Sequence, residues 1–156
     1  MSKHILAIDS GTTSVRTLLL NDRFGIVDIA QKEITHHYPQ SGWIEHDPEE
    51  IIAAQLETMR AVLRNNGVHP SDLHTVSLTN QRETGLVWDR ETGEPIYNAI
   101  VWASRQSNSV IEKWREQGLD PIIREKTGLI SDAYYTASKI AWILDHISGA
   151  RERAER

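Results

Sequence analysis

The chain has 156 residues and no cysteine, with 17 basic side chains against 22 acidic ones and a formal net charge of -5. The acidic balance argues against nucleic acid as the main partner, and the lack of cysteine excludes disulfides and thiolate metal sites. No apolar run has the length of a signal peptide or of a membrane span, so we expect a cytoplasmic protein without a transmembrane segment.

Three strands are predicted at the start of the chain, over residues 4–9, 15–20 and 26–34. Each is a largely apolar run, and short polar links separate them. Links of this length join antiparallel neighbours, so the pattern predicts a three-strand meander.

A strong helix start follows a polar loop. Asp47 is the predicted N-cap, Pro48 suits the first helical position, and Glu50 completes a capping-box pattern. Gly67 is predicted to end this helix in the left-handed conformation. Apolar residues at spacings of three and four predict its buried face: Ile52, Leu56, Met59 and Leu63.

The second half begins with strands predicted over residues 73–79, 85–89 and 96–102, the last two forming a hairpin. Helices are predicted over residues 107–117, 120–127 and 136–147, and the charged end GARERAER is expected to fray. The predicted buried stripe of the last helix is Ala137, Ile140, Leu144 and Ile147. This order indicates a mixed α/β fold, with antiparallel strands first and a crossover after them.

The segment DSGTTSVR, residues 9–16, puts small polar groups directly after the first strand. Gly11 lets the backbone approach a ligand, and the following amides and hydroxyls can donate to phosphate oxygens. Asp9 suits a magnesium ion held through water, and Arg16 adds a cationic group. A hairpin turn with a solvated polar edge explains the same residues, and the segment alone leaves both interpretations open.

The segment TNQRET, residues 79–84, follows another predicted strand. Arg82 and Glu83 are adjacent, so both can reach one ligand only from a bend. An arginine donor beside a carboxylate acceptor suits a polyol, although a surface ion pair is the more common arrangement.

Aromatic and histidine side chains give weaker signals. Trp102 can form a wall beside a sugar or polyol, or it can belong to the core, and Tyr134 can simply pack at a helix start. A zinc site is a minority possibility, because neighbouring histidines diverge and one candidate ligand is better explained as a helix cap. The residues concerned are His36, His37, His46 and Asp47.

Seven segments together resemble the FGGY family of carbohydrate kinases, and within it the members that phosphorylate glycerol. They are AIDSGTTSVR, QKEI, YPQSGWIEHDPEEI, TNQRET, VWDRETGEPIYNAIVW, KTGL and WILDH, in the family's order and approximate spacing. No single segment is specific, but the combination is, and it covers essentially the whole chain. The resemblance therefore favours a phosphate loop and a polyol clamp over the plainer alternatives.

The resemblance implies a ribonuclease H-like, actin-like ATPase lobe, with helices flanking a mixed sheet that starts as the antiparallel meander. It also implies phosphorylation of glycerol by ATP, with Mg²⁺, to give sn-glycerol 3-phosphate. Residues 1–156 would form the N-terminal lobe, incomplete, of a longer enzyme. The implied partners are the C-terminal lobe of that enzyme and further copies in a homo-oligomer.

Site residues carry over by position. The family's nucleotide-phosphate contacts match Thr12, Thr13, Ser14 and Arg16, and its magnesium-linked aspartate matches Asp9. Its glycerol contacts match Arg82, Glu83, Trp102 and Tyr134. The sequence departs from the family pattern at Ser10, Ala103 and Ala133.

Phosphoryl transfer also needs a base for the substrate hydroxyl. In the family that base is an aspartate beyond the part that this chain matches, so we expect little or no kinase activity from these 156 residues alone. Two alternatives stay open: an FGGY kinase for another polyol or a pentulose, and a non-catalytic nucleotide-binding module.

Overall fold

The computed structural model describes residues 4–155, which form two compact units. Unit 1 contains the described residues up to Thr35 together with Glu49–Gln81, and unit 2 contains His36–Pro48 and the residues from Arg82 onward. None of the helices within residues 4–155 combines the length and the hydropathy needed to cross a membrane.

The strands of the described residues are β1 (His4–Ser10), β2 (Ser14–Leu20), β3 (Ile26–Glu33), β4 (Glu45–His46), β5 (Leu73–Asn80) and β6 (Ala99–Ile100). The helices are α1 (Pro48–Asn65), α2 (Asn108–Glu116), α3 (Asp120–Thr127), α4 (Thr136–His146) and α5 (Ala150–Glu155).

Unit 1 is a four-stranded sheet covered by α1. The strand order is β3-β2-β1-β5, with antiparallel pairing among the first three strands and parallel pairing of β1 with β5. The predicted meander and mixed sheet are therefore confirmed. Leu6, Val15 and Leu19 are completely buried beneath α1, and each contributes roughly 1.5–3 kcal/mol by burial.

The buried face predicted for α1 was only partly right, since Met59 and Leu63 are partly buried against the core. Ile52 and Leu56 are 51% and 42% exposed, whereas Ala54, Thr58 and Val62 are buried against the sheet. The small Ala54 lets the helix approach closely, and the hydroxyls of Thr58 and Thr17 bond to each other at 2.8 Å. A count of large apolar residues misses a face made of small and hydroxyl side chains.

Both ends of α1 use side-chain or glycine chemistry. The Glu50 carboxylate accepts from the backbone N–H and the hydroxyl of Thr35, which fixes the loop before the helix. Gly67 has the predicted left-handed φ of 61°.

Unit 2 has its core between β6 and helices α2, α4 and α5. Ile100, Val110, Trp142 and Ile143 are buried in one cluster. The predicted hairpin strands are much shorter than expected: β6 has two residues and pairs with β4, which lies in a segment predicted to be loop. Isolated backbone hydrogen bonds, such as the pair between Gly85 and Ile100 at 2.9 Å, join the two segments that were predicted to be the hairpin strands.

The helices of unit 2 follow the predicted order, but two details were wrong. In α4 the buried positions are Ser138, Lys139, Trp142 and Ile143. Of the predicted stripe, Ile140, Leu144 and Ile147 are partly buried against the core, and Ala137 is exposed. The charged end forms α5, whose Ala150 is buried and whose Arg153 bonds Asp89 at 3.1 Å. Burying Trp142 removes more apolar area than burying the smaller Ala137, and carbonyls compensate the buried Lys139.

Candidate functional site

The loop between β1 and β2 is a tight backbone turn. The Gly11 N–H donates to the Ser14 carbonyl at 3.0 Å, and a Cβ on residue 11 would stand 3.0 Å from that oxygen. The Thr13 carbonyl accepts from Ile34 N–H, and the Ser10 carbonyl accepts from Gln81 N–H. Neighbouring segments of unit 1 therefore hold this loop, and glycine is the residue that fits its narrowest point.

The three hydroxyl residues of the loop differ in exposure. Thr13 is exposed and Thr12 is half-buried, but Ser14 is 8% exposed. The family departure at Ser10 also faces inward, because its Oγ accepts from the Gln55 side chain of α1 at 3.0 Å. Thr12 and Thr13 are thus the hydroxyls best placed for a ligand in solution.

Asp9 and Arg16 are cross-strand partners in the β1–β2 pairing, and Asp9 is also in register with Thr79 of β5. The half-buried Asp9 lines a cavity of about 320 Å³ in unit 1. The Arg16 Nε donates to the Gln31 side chain at 3.0 Å, which holds the guanidinium along the sheet. The pairing therefore puts one carboxylate and one cation next to the loop.

A magnesium ion fits the chemistry of this position. Mg²⁺ retains several waters and takes one or two carboxylates together with phosphate oxygens, so a single Asp9 side chain is a sufficient protein ligand. Within residues 4–155 no group of three or more His, Cys, Asp or Glu side chains is arranged around a common metal position. His36 and His46 instead pack edge to face, with ring centroids 4.6 Å apart.

Glu83 lies on a turn after β5. Its φ of 63° is in the left-handed region, which a side chain other than glycine adopts rarely. Its Oε2 accepts from both the backbone N–H and the Oγ1 of Thr136, at 2.9 Å each. This carboxylate therefore caps the first residue of α4, where the N-cap residue Tyr135 makes no side-chain bond. The neighbouring Arg82 is exposed.

Trp102 and Tyr134 line one cavity of about 360 Å³ in unit 2. Their ring centroids are 5.9 Å apart in an edge-to-face arrangement, and they are 38% and 42% exposed. The Trp102 N–H donates to the Thr84 hydroxyl, which connects this aromatic wall to the turn that carries Glu83. Arg82 and Glu83 are not among the residues that line this cavity.

Sequence reasoning missed three residues around this wall. Arg105 and Asp132 line the same cavity and form an ion pair at 3.6 Å. Lys139 is completely buried, and its Nζ donates to the carbonyls of Ala133, Tyr134 and Tyr135. Burial lowers the pKa of Lys139 to about 8, against the opposing influence of nearby carboxylates. A lysine in an apolar helix is normally assigned to the solvent face, so no local pattern marked it.

Residues 4–156 match the model for the FGGY family of carbohydrate kinases, N-terminal domain. The chain is 51% identical over 154 residues to a glycerol kinase from Halorhodospira halophila, and 50% identical over 156 residues to one from Thermus thermophilus. These alignments cover 99% and 100% of this chain but only 30% and 32% of those proteins, so the chain spans about a third of their length.

Solved structures agree on the fold. The crystal structure of Plasmodium falciparum glycerol kinase with ADP superposes with a TM-score of 0.85 at 29% identity, over 97% of this chain and 30% of that one. A gluconate kinase from Lactobacillus acidophilus reaches 0.88 at 20% identity, over 100% and 31% of the two chains. Both neighbours support the expected actin-like ATPase architecture, and the second bears on the fold alone.

Proposed function

The chain belongs to the FGGY family of carbohydrate kinases, and we propose that the complete protein transfers the γ-phosphoryl group of ATP to glycerol, giving sn-glycerol 3-phosphate. The observation that carries the choice of substrate is the identity of about half of all aligned residues with glycerol kinases, over almost the whole chain. The geometry of unit 2 supports a polyol substrate, because the rings of Trp102 and Tyr134 lie beside the turn that carries Arg82 and Glu83.

In this proposal unit 2 binds the polyol. Glu83 Oε1 accepts a hydrogen bond from a polyol hydroxyl, since its Oε2 already accepts from Thr136. The exposed guanidinium of Arg82 donates to polyol oxygens, while Trp102 and Tyr134 cover the carbon chain. A short turn with φ of 63° at Glu83 lets adjacent residues 82 and 83 act on one ligand, which a regular strand would not allow.

Unit 1 supplies the phosphate contacts in the same proposal. The amides and hydroxyls of Thr12, Thr13 and Ser14 donate to phosphate oxygens, and Arg16 adds positive charge. The burial of Ser14 favours its backbone N–H over its hydroxyl as the donor. Asp9 holds Mg²⁺ through water, and the bound ion neutralises charge on the transferring group.

We assign no general base within this chain. The family resemblance puts that aspartate in the second lobe, and the glycerol kinases that the chain matches are about three times as long. We therefore propose that the complete protein needs this lobe as its partner and that the 156 residues alone have little or no kinase activity. Homo-oligomer formation and a cytoplasmic location belong to the same proposal.

Steady-state kinetics of the complete protein test the function. We expect ADP release that depends on glycerol, with sn-glycerol 3-phosphate as product, and much weaker responses to xylulose and erythritol. A preference for xylulose or erythritol would instead favour another FGGY activity, and ATP binding without any acceptor would favour a non-catalytic module. The isolated chain should give no glycerol-dependent turnover above background, and turnover near that of the complete protein would refute that part.

A further inference from the structure

The ammonium group of Lys139 has an unusual environment. The residue is 0% exposed, and its Nζ lies 2.6 Å from the Ala133 carbonyl, 2.5 Å from the Tyr134 carbonyl and 3.3 Å from the Tyr135 carbonyl. An ammonium has three protons to donate, so these three carbonyls satisfy it without a direct acidic partner. A buried charge is costly unless all its hydrogen bonds are made. Because all three N–H groups of this ammonium bond to carbonyls of one short turn, they hold that turn in place.

The Lys139 side chain also packs against the turn of residues 82–85, which carries Arg82 and Glu83. A Cβ on Gly85 would stand 3.0 Å from the Lys139 Cβ and 3.5 Å from its Cδ, so the backbone after Glu83 lies directly on the lysine stem. Gly85 is itself anchored to β6 by two backbone bonds with Ile100 at 2.9 Å. Lys139 therefore spans the distance between a fixed segment carrying Glu83 and the turn carrying Tyr134.

Two interactions thus orient the start of α4. Glu83 accepts from the Thr136 amide and hydroxyl, and Lys139 donates to the three carbonyls that precede Thr136. The side chain of Tyr134 then stands edge to face against Trp102. Removing the lysine donors would leave the Ala133 and Tyr134 carbonyls without this partner, while the Tyr135 carbonyl keeps its bond from the Ser138 hydroxyl, and the turn would relax away from Trp102.

We propose that Lys139 is a positioning residue of the polyol site: it holds the turn of residues 133–135 against residues 82–85, so that Tyr134 and Glu83 present one surface to the substrate. The role of that surface rests on the proposed function. Lys139 does not touch the polyol in this scheme. Its loss should weaken glycerol binding and leave nucleotide binding unchanged, because the proposed function assigns the phosphate contacts to unit 1.

The titration of Lys139 gives an independent signature. Its pKa is lowered to about 8 by burial, while the facing carboxylates of Glu83 and Asp132 raise it; Tyr134 and Tyr135 face it through their carbonyls. Deprotonation removes one donor and turns a lone pair toward a carbonyl, so glycerol affinity should fall as pH rises through about 8. The free energy of unfolding responds to pH in the opposite direction from glycerol affinity. Because the pKa of Lys139 is depressed from 10.5 in the folded protein, its contribution to the free energy of unfolding increases as the pH rises from about 8 to 10.5.

The test compares Lys139→Met with the exposed-lysine control Lys126→Met in the complete protein. We expect Lys139→Met to raise the KM for glycerol at least about tenfold, with the KM for ATP within about twofold, and to abolish the pH dependence near 8. Lys126→Met should behave as the unchanged protein. A glycerol KM that is unchanged, or that rises in proportion to the KM for ATP, overturns the proposal.

A second variant covers the case in which Lys139→Met does not fold. Gly85→Ala keeps the charge but pushes on the lysine stem, and φ at Gly85 is not in the left-handed region, so only this contact is strained. We expect it to raise the glycerol KM severalfold with the KM for ATP unchanged, and an unchanged glycerol KM counts against the proposal.

A third measurement separates the two proposals. The nuclear Overhauser effect between the rings of Tyr134 and Trp102 should be present in the unchanged protein and weakened in both variants. Persistence of that effect at full strength refutes the positioning role, even if glycerol is not the substrate. Conversely, an unchanged protein that does not bind glycerol, combined with a weakened ring-to-ring effect in the variants, refutes only the proposed function.

Discussion

Glu83 caps α4 through Thr136: one carboxylate oxygen accepts both the backbone N–H and the hydroxyl of that residue at 2.9 Å. A helix N-terminus carries partial positive charge, so an acidic side chain is a favourable cap at this position. The left-handed backbone of Glu83 is strained for a residue with a side chain, and this capping bond compensates for the strain. A strained, fixed acidic side chain is typical of a binding site.

Thr136→Val removes the hydroxyl from this cap while it keeps the side-chain shape and the backbone bond. We expect the dissociation constant for glycerol to rise about fivefold, because one hydrogen bond that orients Glu83 is lost. Calorimetric titration of the complete protein with glycerol measures it. Thr75→Val, an exposed position on β5, is the matched control and should bind glycerol normally. Equal affinities in both variants would contradict an orienting role for Thr136.

Arg82→Ala tests the other half of the clamp. The exposed guanidinium makes charge-assisted hydrogen bonds to the polyol in our proposal, so its loss should weaken glycerol binding by about 10- to 100-fold. The KM for ATP should stay constant. Arg90→Ala removes an exposed arginine whose bond to Arg153 is made by its backbone alone, and it should leave glycerol binding intact. If Arg82→Ala binds glycerol with unchanged affinity, the clamp assignment fails.

Gly11→Ala tests the phosphate loop. The added Cβ would stand 3.0 Å from the Ser14 carbonyl, so the turn has to open. We expect the KM for ATP to rise at least about fivefold with little effect on the KM for glycerol, because overpacking of this kind costs about 1–3 kcal/mol.

The comparison variant for the loop is Gly67→Ala. Gly67 has φ of 61°, and no neighbouring atom lies within 4 Å of the point that an alanine Cβ would occupy, so alanine there costs only backbone strain of about 1 kcal/mol. It should lower the thermal midpoint of unfolding without changing the KM for ATP. A Gly11→Ala protein with the same profile would indicate a purely structural glycine.

Thr17 and Thr58 offer a stability test in the core of unit 1. Thr58 Oγ1 donates to the Ala54 carbonyl at 3.0 Å, which leaves Thr17 as the donor in the 2.8 Å bond between the two hydroxyls. Thr17→Val then deletes one hydrogen bond, about 1 kcal/mol, whereas Thr58→Val strands the buried Thr17 hydroxyl and costs about 2–3 kcal/mol. Urea unfolding measures both, and a larger loss for Thr17→Val would reverse the assigned direction of the bond.

The outer edge of β5 is expected to associate with other chains. β5 is the last strand of its sheet, and Val76 and Leu78 are 51% and 63% exposed on it. An apolar edge strand pairs readily with another strand. Leu78→Lys should reduce concentration-dependent association of the 156-residue chain in sedimentation velocity, while His74→Lys on the same strand should change it little. Equal association of both variants would assign it to another surface.

The sequence was most informative where a local rule dictates the structure. Alternating and continuous apolar runs predicted β1, β2 and β3, and short polar links fixed their antiparallel order. Asp47 and Pro48 predicted where α1 begins, and Gly67 predicted how the chain leaves it. The adjacency of Arg82 and Glu83 required a bend if both were to act together, and the structure has a turn there.

The pairing of β4 with β6 and the burial of helix positions could not be obtained in the same way. The faces of α1 and α4 were predicted only in part, because counting large apolar residues ignores how closely a helix approaches its neighbour and whether a polar group finds partners. Lys139 is the clearest example: its burial depends on carbonyls that only the turn before α4 presents to it.

The sequence by itself determined the family, the order of the elements and the residue types at each candidate position, because these depend on local patterns along the chain. Tertiary structure alone decided that Glu83 caps α4, that Trp102 meets Tyr134, and that a charged lysine lies beneath them. Each of these contacts joins residues from separate parts of the sequence or depends on burial, and the energy of a hydrogen bond or a buried charge is set by surroundings that no local pattern encodes.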